Sequence, residues 1–181
     1  MSRRWIYGGC LLVALAFAPL APAQAAEEPR YTFVEAGWVR EDPDGGSTDN
    51  GWFAGGSFST RRFHFFAEYA DQGPFEVWQT GGGWHGLLGQ RADIVAEAAY
   101  VDADSDEGYR ATAGVRWYVA ERLEIGGFAN RTDVGSFENN SFSIQGIWDF
   151  TGRFSVGANL AFGDESDTLR AFARFYLGKN R

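Results

Sequence analysis

The sequence predicts an all-β fold, namely a closed antiparallel up-and-down transmembrane β-barrel of ten strands. Apolar and polar residues alternate with a period of two in successive segments of about ten residues, and this alternation is typical of β-strands that cross a membrane. Lys179 is the only lysine, whereas aromatic residues make up 17% of the chain. A water-soluble surface normally carries more lysine than this. Tryptophans fall near the ends of several segments, where membrane barrels carry aromatic girdles.

Residues 1–25 are predicted to be a secretory signal peptide that lies outside the fold. Two arginines near the start precede an apolar run over 11–20, and Ala23-Gln24-Ala25 offers a cleavage site of small residues. The alternative, a membrane anchor helix, is disfavoured because two prolines interrupt a run already shorter than the ~20 apolar residues required. Residues 26–181 then form a single barrel domain.

The predicted mature chain is acidic and contains no cysteine. Cleavage would remove two of the 16 basic residues and none of the 24 acidic ones, so the net charge becomes 14 − 24 = −10. Nucleic acid is a poor partner for such a surface. Cys10, the only cysteine, lies in the signal peptide, which excludes a disulfide or a thiolate metal site in the mature chain. We expect no metal and no cofactor.

The first five strands are predicted near residues 31–41, 50–60, 62–71, 76–86 and 93–102. Each places apolar residues on one face and small, polar or charged residues on the other. The apolar faces contain Val34, Ala36 and Trp38; Trp52, Ala54, Gly56 and Phe58; Phe63, Phe65, Ala67 and Tyr69; Trp78, Thr80 and Trp84; and Ile94, Ala96, Ala98 and Tyr100. The Gly81-Gly82-Gly83 run in the fourth strand predicts a kink or bulge there.

The last five strands are predicted near residues 108–119, 122–131, 138–149, 154–162 and 169–177, and the final hairpin shows the alternation most clearly. The apolar faces contain Tyr109, Ala111, Ala113, Val115 and Trp117; Leu123, Ile125, Gly127 and Ala129; Phe142, Ile144, Gly146 and Trp148; Phe154, Val156, Ala158, Leu160 and Phe162; and Leu169, Ala171, Ala173, Phe175 and Leu177. If strands 3 and 4 or 7 and 8 merge differently, the count becomes eight. Both numbers are even, as single-chain bacterial barrels require.

The connections between the predicted strands alternate in length and charge. The longer or acidic ones are 42–46, 102–107, 132–139 and 164–167, and the tighter, arginine-bearing ones are 61–62, 89–91, 121–122 and 151–153. Because long loops of such barrels face the outside and short turns face the periplasm, both termini are expected to be periplasmic. The acidic loops are best interpreted as solvated surface, with divalent-cation bridging to lipopolysaccharide phosphates as the alternative.

Alternation alone does not decide which face points inward, and a secreted soluble barrel with a ligand lumen would show the mirror pattern. Scarce lysine, abundant glycine on the polar face and the placement of tryptophan favour the membrane barrel. The predicted girdle comprises Trp38, Trp52, Trp78, Trp84, Trp117 and Trp148.

Several short motifs suggest a family. Tyr31 to Trp38 (YTFVEAGW), Asp49-Asn50-Gly51-Trp52, Phe63-His64-Phe65-Phe66 and the stretch from Gly108-Tyr109 to Ala113-Gly114-Val115-Arg116 resemble the diffusible-signal-factor-regulated outer-membrane proteins of xanthomonads. More broadly, the chain is similar to small OmpA-type and OmpX-type barrels. The resemblance implies residence in the outer membrane of a Gram-negative cell envelope, contact with outer-membrane lipid and lipopolysaccharide, and insertion by the barrel-assembly machinery. That machinery usually reads a terminal aromatic residue, and here Gly178 to Arg181 follow the last aromatic.

The candidate catalytic residues are on the polar face: His64, Glu68, His85, Ser57 and Ser59. A serine, a histidine and a carboxylate can together form a nucleophile, a base and an orienting group. Both histidines lie next to predicted periplasmic turns, far from any external substrate, and two histidines without further ligands make a weak metal site. We therefore predict no catalytic residues and no enzyme.

The polar face predicts a lumen filled by side chains and ion pairs. Bulky Phe33, Phe66, Phe128, Phe172 and Tyr118 point inward with the charged residues Glu35, Glu68, Glu97, Glu124, Arg110, Arg116, Arg170 and Arg174. We expect Glu97 to meet Arg116 with Glu124 close by, and Glu35 to approach Arg174 across the closing seam. The favoured function is structural or cell-surface interaction, with a narrow pore for small solutes, a soluble periplasmic ligand-binding barrel and an outer-membrane hydrolase as alternatives.

Overall fold

The computed structural model describes residues 30–73, 75–104 and 106–177. The predicted signal peptide and the Gly178 to Arg181 extension lie outside the described residues. The strands are β1 Phe33–Pro43, β2 Asp49–Thr60, β3 Phe63–Asp71, β4 Glu76–Leu87, β5 Ala92–Ala103, β6 Asp106–Ala120, β7 Leu123–Val134, β8 Phe137–Asp149, β9 Phe154–Gly163 and β10 Ser166–Tyr176. Within the described part of the chain, no helix is long and apolar enough to cross a membrane.

The ten strands form one closed barrel in which each strand pairs antiparallel with its neighbours in sequence. Closure is completed by β1 and β10, with Phe33 opposite Tyr176 and Pro43 opposite Ser166. The prediction of a closed ten-stranded antiparallel barrel is confirmed, and the alternative count of eight is wrong. Because β1 begins where β10 ends, both ends of the described chain lie at the same end of the barrel.

The two ends of the barrel differ in charge. The end at which the described chain begins and ends has the turns 61–62, 88–91, 121–122 and 150–153. We name it the arginine end for the arginines Arg61, Arg62, Arg91, Arg122 and Arg153. The opposite end, the acidic end, carries most of the carboxylates outside the lumen, including those of Asp42, Asp44, Asp71, Asp102, Asp104, Asp164 and Glu165.

The difference in connection length that the sequence predicts is wrong. At the acidic end β5 continues to Ala103 and β6 starts at Asp106, and these two residues pair. In the same way β7 ends at Val134, which pairs with Phe137 of β8, and Gly135 supplies the left-handed φ of 58° that this tight turn needs. Cross-strand pairing continues here through mostly polar residues, such as Asp102 opposite Glu107 and Asp133 opposite Glu138, so the apolar alternation ends before the ladder does.

The predicted kink at Gly81-Gly82-Gly83 is also wrong. The three glycines pair in register with Phe66, Phe65 and His64 of β3, and the irregularity recorded in the ladders lies between Tyr118 and Ala120 of β6. The reason for glycine is close packing: a Cβ atom on Gly83 would lie 2.7 Å from Cγ of Glu97 and 2.6 Å from Nε2 of His64.

Candidate functional site: the barrel lumen

An apolar cluster occupies the lumen. Val39, Phe53, Ala70, Ile147 and Phe172 pack together, and their side chains are buried. The rings of Phe53 and Phe172 meet edge to face at 6.4 Å. The lumen has room for Phe172 because Gly157 lies beside it, where a Cβ atom would be 2.5 Å from the ring. The predicted inward position of Phe172 therefore contributes to closing the lumen.

A polar chain lies beside this cluster. Arg170 pairs with Glu68 at 2.7 Å, and Glu68 also accepts a 2.8 Å hydrogen bond from the amide of Gln79. Nη1 of Arg110 donates to the side-chain amide oxygen Oε1 of Gln79 at 3.0 Å. The guanidinium of Arg170 lies 3.7 Å from the centre of the Phe53 ring. Three of the predicted network residues, Glu68, Arg110 and Arg170, are thus brought together, with Gln79 as a bridge that the sequence did not indicate.

The seam that closes the barrel holds an ion pair. Glu35 lies opposite Arg174 in the ladder between β1 and β10, and their side chains meet at 2.7 Å. The guanidinium of Arg174 stacks 3.8 Å from the centre of the Phe33 ring, a favourable cation–π geometry. This places the Glu35–Arg174 contact where the sequence predicts it.

Arg116 pairs with Glu124 and not with Glu97. Its Nε and Nη2 atoms donate to the two carboxylate oxygens of Glu124 at 2.7 and 2.9 Å, and both side chains are buried. The expected Glu97–Arg116 contact is wrong because β5 begins at Ala92 opposite Trp117, which sets Asp93 and not Glu97 level with Arg116. Glu97 lies four residues farther from the turn and contacts His64 at 2.8 Å.

Two residues before β1 close the arginine end of the lumen. The guanidinium of Arg30 pairs with Asp149 at 2.8 Å and stacks 3.6 Å from the centre of the Tyr176 ring. The ring of Tyr31 stacks on both His64 and His85, with ring centroids 4.8 and 3.9 Å apart. The sequence predicts Tyr31 as the first residue of the wall, but β1 begins at Phe33. The one sequence feature that indicates the true position of Tyr31 is the alternation. Tyr31 is two residues before Phe33, whose side chain points into the lumen, so Tyr31 falls on the same inward side.

The catalytic candidates do not form the arrangement that would be needed. Glu68 faces Arg170 and Gln79. The carboxylates near the histidines are those of Glu97, 2.8 Å from Nε2 of His64, and of Asp93, whose Oδ2 is 3.7 Å from Nδ1 of His85. Asp93 is not among the catalytic candidates that the sequence indicates. Oγ of Ser59 lies 3.5 Å from Nε2 of His85, longer than the ≈2.6–3.2 Å of an activated nucleophile.

Tyr31 covers the side chains of His85 and Asp93. Its ring lies on the imidazole of His85, and its hydroxyl donates to Asp93 at 3.3 Å. Burial raises the pKa of the Tyr31 phenol above its ordinary value, so the hydroxyl keeps its proton and stays a donor. Ser57, the other candidate nucleophile, has a buried Oγ with no hydrogen-bond partner within the described part of the chain. Among the described residues, no group of three or more His, Cys, Asp or Glu could hold a metal ion.

The tryptophans predicted as a girdle all point outward. Trp52 and Trp78 lie on the acidic half of their strands, and Trp38 lies at the middle of β1. Trp52 and Trp78 both contact the ring of Tyr69, at 5.3 and 4.6 Å. Trp84, Trp117 and Trp148 lie near the arginine end of theirs. Between the two levels the outward residues are mainly alanine and glycine, such as Ala54, Ala96, Ala111, Gly127 and Ala158.

Comparison with known proteins bears on the fold. No protein-family model matches the chain, and no curated protein matches it. Among solved structures, the chain is similar to a KdgM porin in complex with disordered oligogalacturonate, with 9% identity, a TM-score of 0.55, and coverage of 80% of this chain and 99% of that one. The KdgM porin alone gives a TM-score of 0.52 at the same identity and coverage. At this identity the likeness shows a shared barrel fold. The narrower resemblance to the diffusible-signal-factor-regulated proteins stays a prediction.

Proposed function

We propose that the protein is a non-enzymatic integral outer-membrane β-barrel with a structural or cell-surface interaction role and a lumen largely filled by side chains. One observation carries the membrane placement. Charged side chains are buried inside the barrel, as Arg116, Glu124 and Arg174 are, while large apolar side chains cover its outside, as Trp52, Phe58 and Phe65 do, each at least half exposed. A soluble barrel has the opposite arrangement.

Experiment can separate the membrane barrel from the soluble ligand-binding barrel. When the full sequence is expressed in a Gram-negative host, we expect the protein in the outer-membrane fraction, resistant to extraction by urea and released by detergent. Recovery in the soluble periplasmic fraction without detergent would contradict the proposal. A comparison variant replaces two outward aromatics, Phe58→Asp and Phe65→Asp. It should not insert stably, since each charge would face lipid.

The orientation that we propose places the arginine end in the periplasm and the acidic end outside. This follows from the rule that the termini of an even-numbered bacterial barrel are periplasmic. A cysteine introduced at Gly45, in the connection 44–48, should react with a membrane-impermeant maleimide on intact cells. A cysteine at Arg122 should react only after the outer membrane is permeabilised, and the reverse result would invert the orientation.

The filled lumen supports a structural or surface role over the alternative of a narrow pore. The apolar cluster, the Arg116–Glu124 pair and the Arg30–Tyr31 closure all lie within the lumen. Planar-bilayer recordings should therefore show no large, stable openings, and regular openings would favour the pore. The proposed partners are outer-membrane lipid and lipopolysaccharide, with the barrel-assembly machinery during insertion.

A further inference from the structure

The outer wall carries one groove near the arginine end. It is a shallow, open depression with a volume of about 430 Å³, lined on the outside by Phe63, Phe65, Gly82, Trp84, Ala96 and Ala98. The ladders place these residues in two rows across β3, β4 and β5, since Phe63 is level with Trp84 and Ala96, and Phe65 with Gly82 and Ala98. The wall is as thin as the backbone here, because His64 and Glu97 pack directly against Gly83 from the lumen side.

Side-chain size creates the groove. Gly82 and the two alanines form its floor, and Phe63 and Phe65, exposed by 56% and 60%, form its rim. Trp84 lies over Gly86, where a Cβ atom would be 2.5 Å from the indole. The indole therefore forms the edge of the groove that is nearer to the arginine end. A shallow apolar depression of this kind packs against one side of a flexible hydrocarbon chain.

Two arginines adjoin the groove in sequence, at its arginine-end side. Arg61 and Arg62 form the turn that precedes Phe63, and both are exposed. Arg62 is held against β4, because its carbonyl oxygen accepts a 2.8 Å hydrogen bond from the backbone N–H of His85. Neither guanidinium has an ion-pair partner among the residues that the structure describes. The guanidinium groups are therefore available to an anion at the head of a hydrocarbon chain.

We propose that this groove binds an anionic phospholipid, with one acyl chain between Phe65 and Trp84 and the phosphate beside Arg61 and Arg62. The inference rests on the proposed membrane placement, in which the arginine end faces the periplasmic leaflet. Transfer of an acyl chain from lipid to the groove gains no hydrophobic free energy, because lipid tails are as apolar as the wall. Selectivity comes from packing in the groove and from guanidinium–phosphate attraction. Lipopolysaccharide belongs to the opposite leaflet and would face the acidic end.

Filling the groove tests the acyl-chain part. In Gly82→Leu the added Cβ lies 3.3 Å from the carbonyl oxygen of His64 and from the Phe65 ring, so the wall has to give by only a few tenths of an ångström while the side chain occupies the groove. The control is Gly146→Leu, at an outward glycine of β8 where an added Cβ meets nothing within 4 Å. Each protein is refolded into vesicles of equal parts phosphatidylglycerol and phosphatidylcholine, and retained lipid is counted by native mass spectrometry. We expect wild type and the control to retain one phosphatidylglycerol and Gly82→Leu to lose it.

Removing the charge tests the headgroup part. Arg61→Asn with Arg62→Gln keeps a residue that tolerates the φ of 55° at position 61, and the control changes Arg122 and Arg153 to Gln in other turns of the same end. Retention of phosphatidylglycerol over phosphatidylcholine should fall roughly fivefold for each groove arginine removed and should not change in the control. Equal retention of the two lipids by wild type, or retention unaffected by either groove variant, would overturn the inference. Failure of the wild type to insert would instead contradict the proposed function.

Discussion

The buried Arg116–Glu124 pair provides a quantitative test of how dry the lumen is. The two side chains are joined by hydrogen bonds of 2.7 and 2.9 Å, and Arg116 is 5% and Glu124 1% exposed. Either Arg116→Met or Glu124→Met leaves one charge buried without its partner, which costs about 3–5 kcal/mol of unfolding free energy. The double change replaces the pair by apolar side chains of similar size. It should therefore cost less than either single change, so the coupling free energy is several kcal/mol.

The assay is equilibrium urea unfolding of the refolded barrel in lipid vesicles, with the four proteins of the double-mutant cycle measured together. The matched control is the Arg131–Glu138 pair at the acidic end, whose side chains are 47% and 54% exposed and which should contribute roughly 0–1 kcal/mol. Additive, near-zero effects at Arg116 and Glu124 would show that water reaches the pair, and the reasoning for a filled lumen would then fail.

Three further results are expected. Arg174→Met should destabilise the seam between β1 and β10 by about 3–5 kcal/mol in the same urea assay, because it leaves the Glu35 carboxylate without its partner; a change below 1 kcal/mol would count against a dry seam. Gly126→Ala should cost about 1–3 kcal/mol, since the new Cβ would lie 2.6 Å from the Phe128 ring, and Phe128→Leu in the same chain should recover most of that loss unless the strain lies elsewhere. Tyr31→Ala should increase the rate at which diethyl pyrocarbonate modifies the two histidines of the chain, and an unchanged rate would mean that Tyr31 does not cover them.

The number of strands and the direction of each face could be predicted from the sequence because every wall residue contacts either lipid or lumen. The two environments make side-chain polarity alternate with a period of two. Phe154 and Val156, for example, point outward, whereas the polar Ser155 between them points inward and is fully buried. The strand ends at Ala103 and Val134 could not be predicted. Most side chains there are polar whichever face they occupy, as Asp102, Asp133 and Glu138 are, so the sequence carries no apolar alternation while the backbone pairing continues.

Ion-pair partners depend on register, which the sequence constrains only weakly. A strand rises about 3.3 Å per residue. If the register of Glu97 relative to Arg116 is predicted wrongly by four residues, the predicted position of the carboxylate is wrong by roughly 13 Å along the strand. The Glu35–Arg174 pair was predictable because both residues lie close to the ends of the strands that meet at the seam. Glu97 lies in mid-strand, and its register against β6 is set at the far end of the hairpin, by the tight connection between the paired residues Ala103 and Asp106.

Closure of the arginine end follows from a different constraint. Tyr31 has the parity of an inward wall residue, yet it leaves the wall, because Ser59 donates its backbone N–H to the hydroxyl oxygen of Thr32 at 3.1 Å and Leu177 donates to the Thr32 carbonyl at the same distance. These two bonds fix the chain at the rim and leave Arg30 and Tyr31 to turn into the lumen, where the stacked histidines and Asp149 receive them. Since neither residue belongs to a strand, occlusion of this end is separable from barrel stability. A substitution at Tyr31 can therefore change access to the lumen while the wall stays intact.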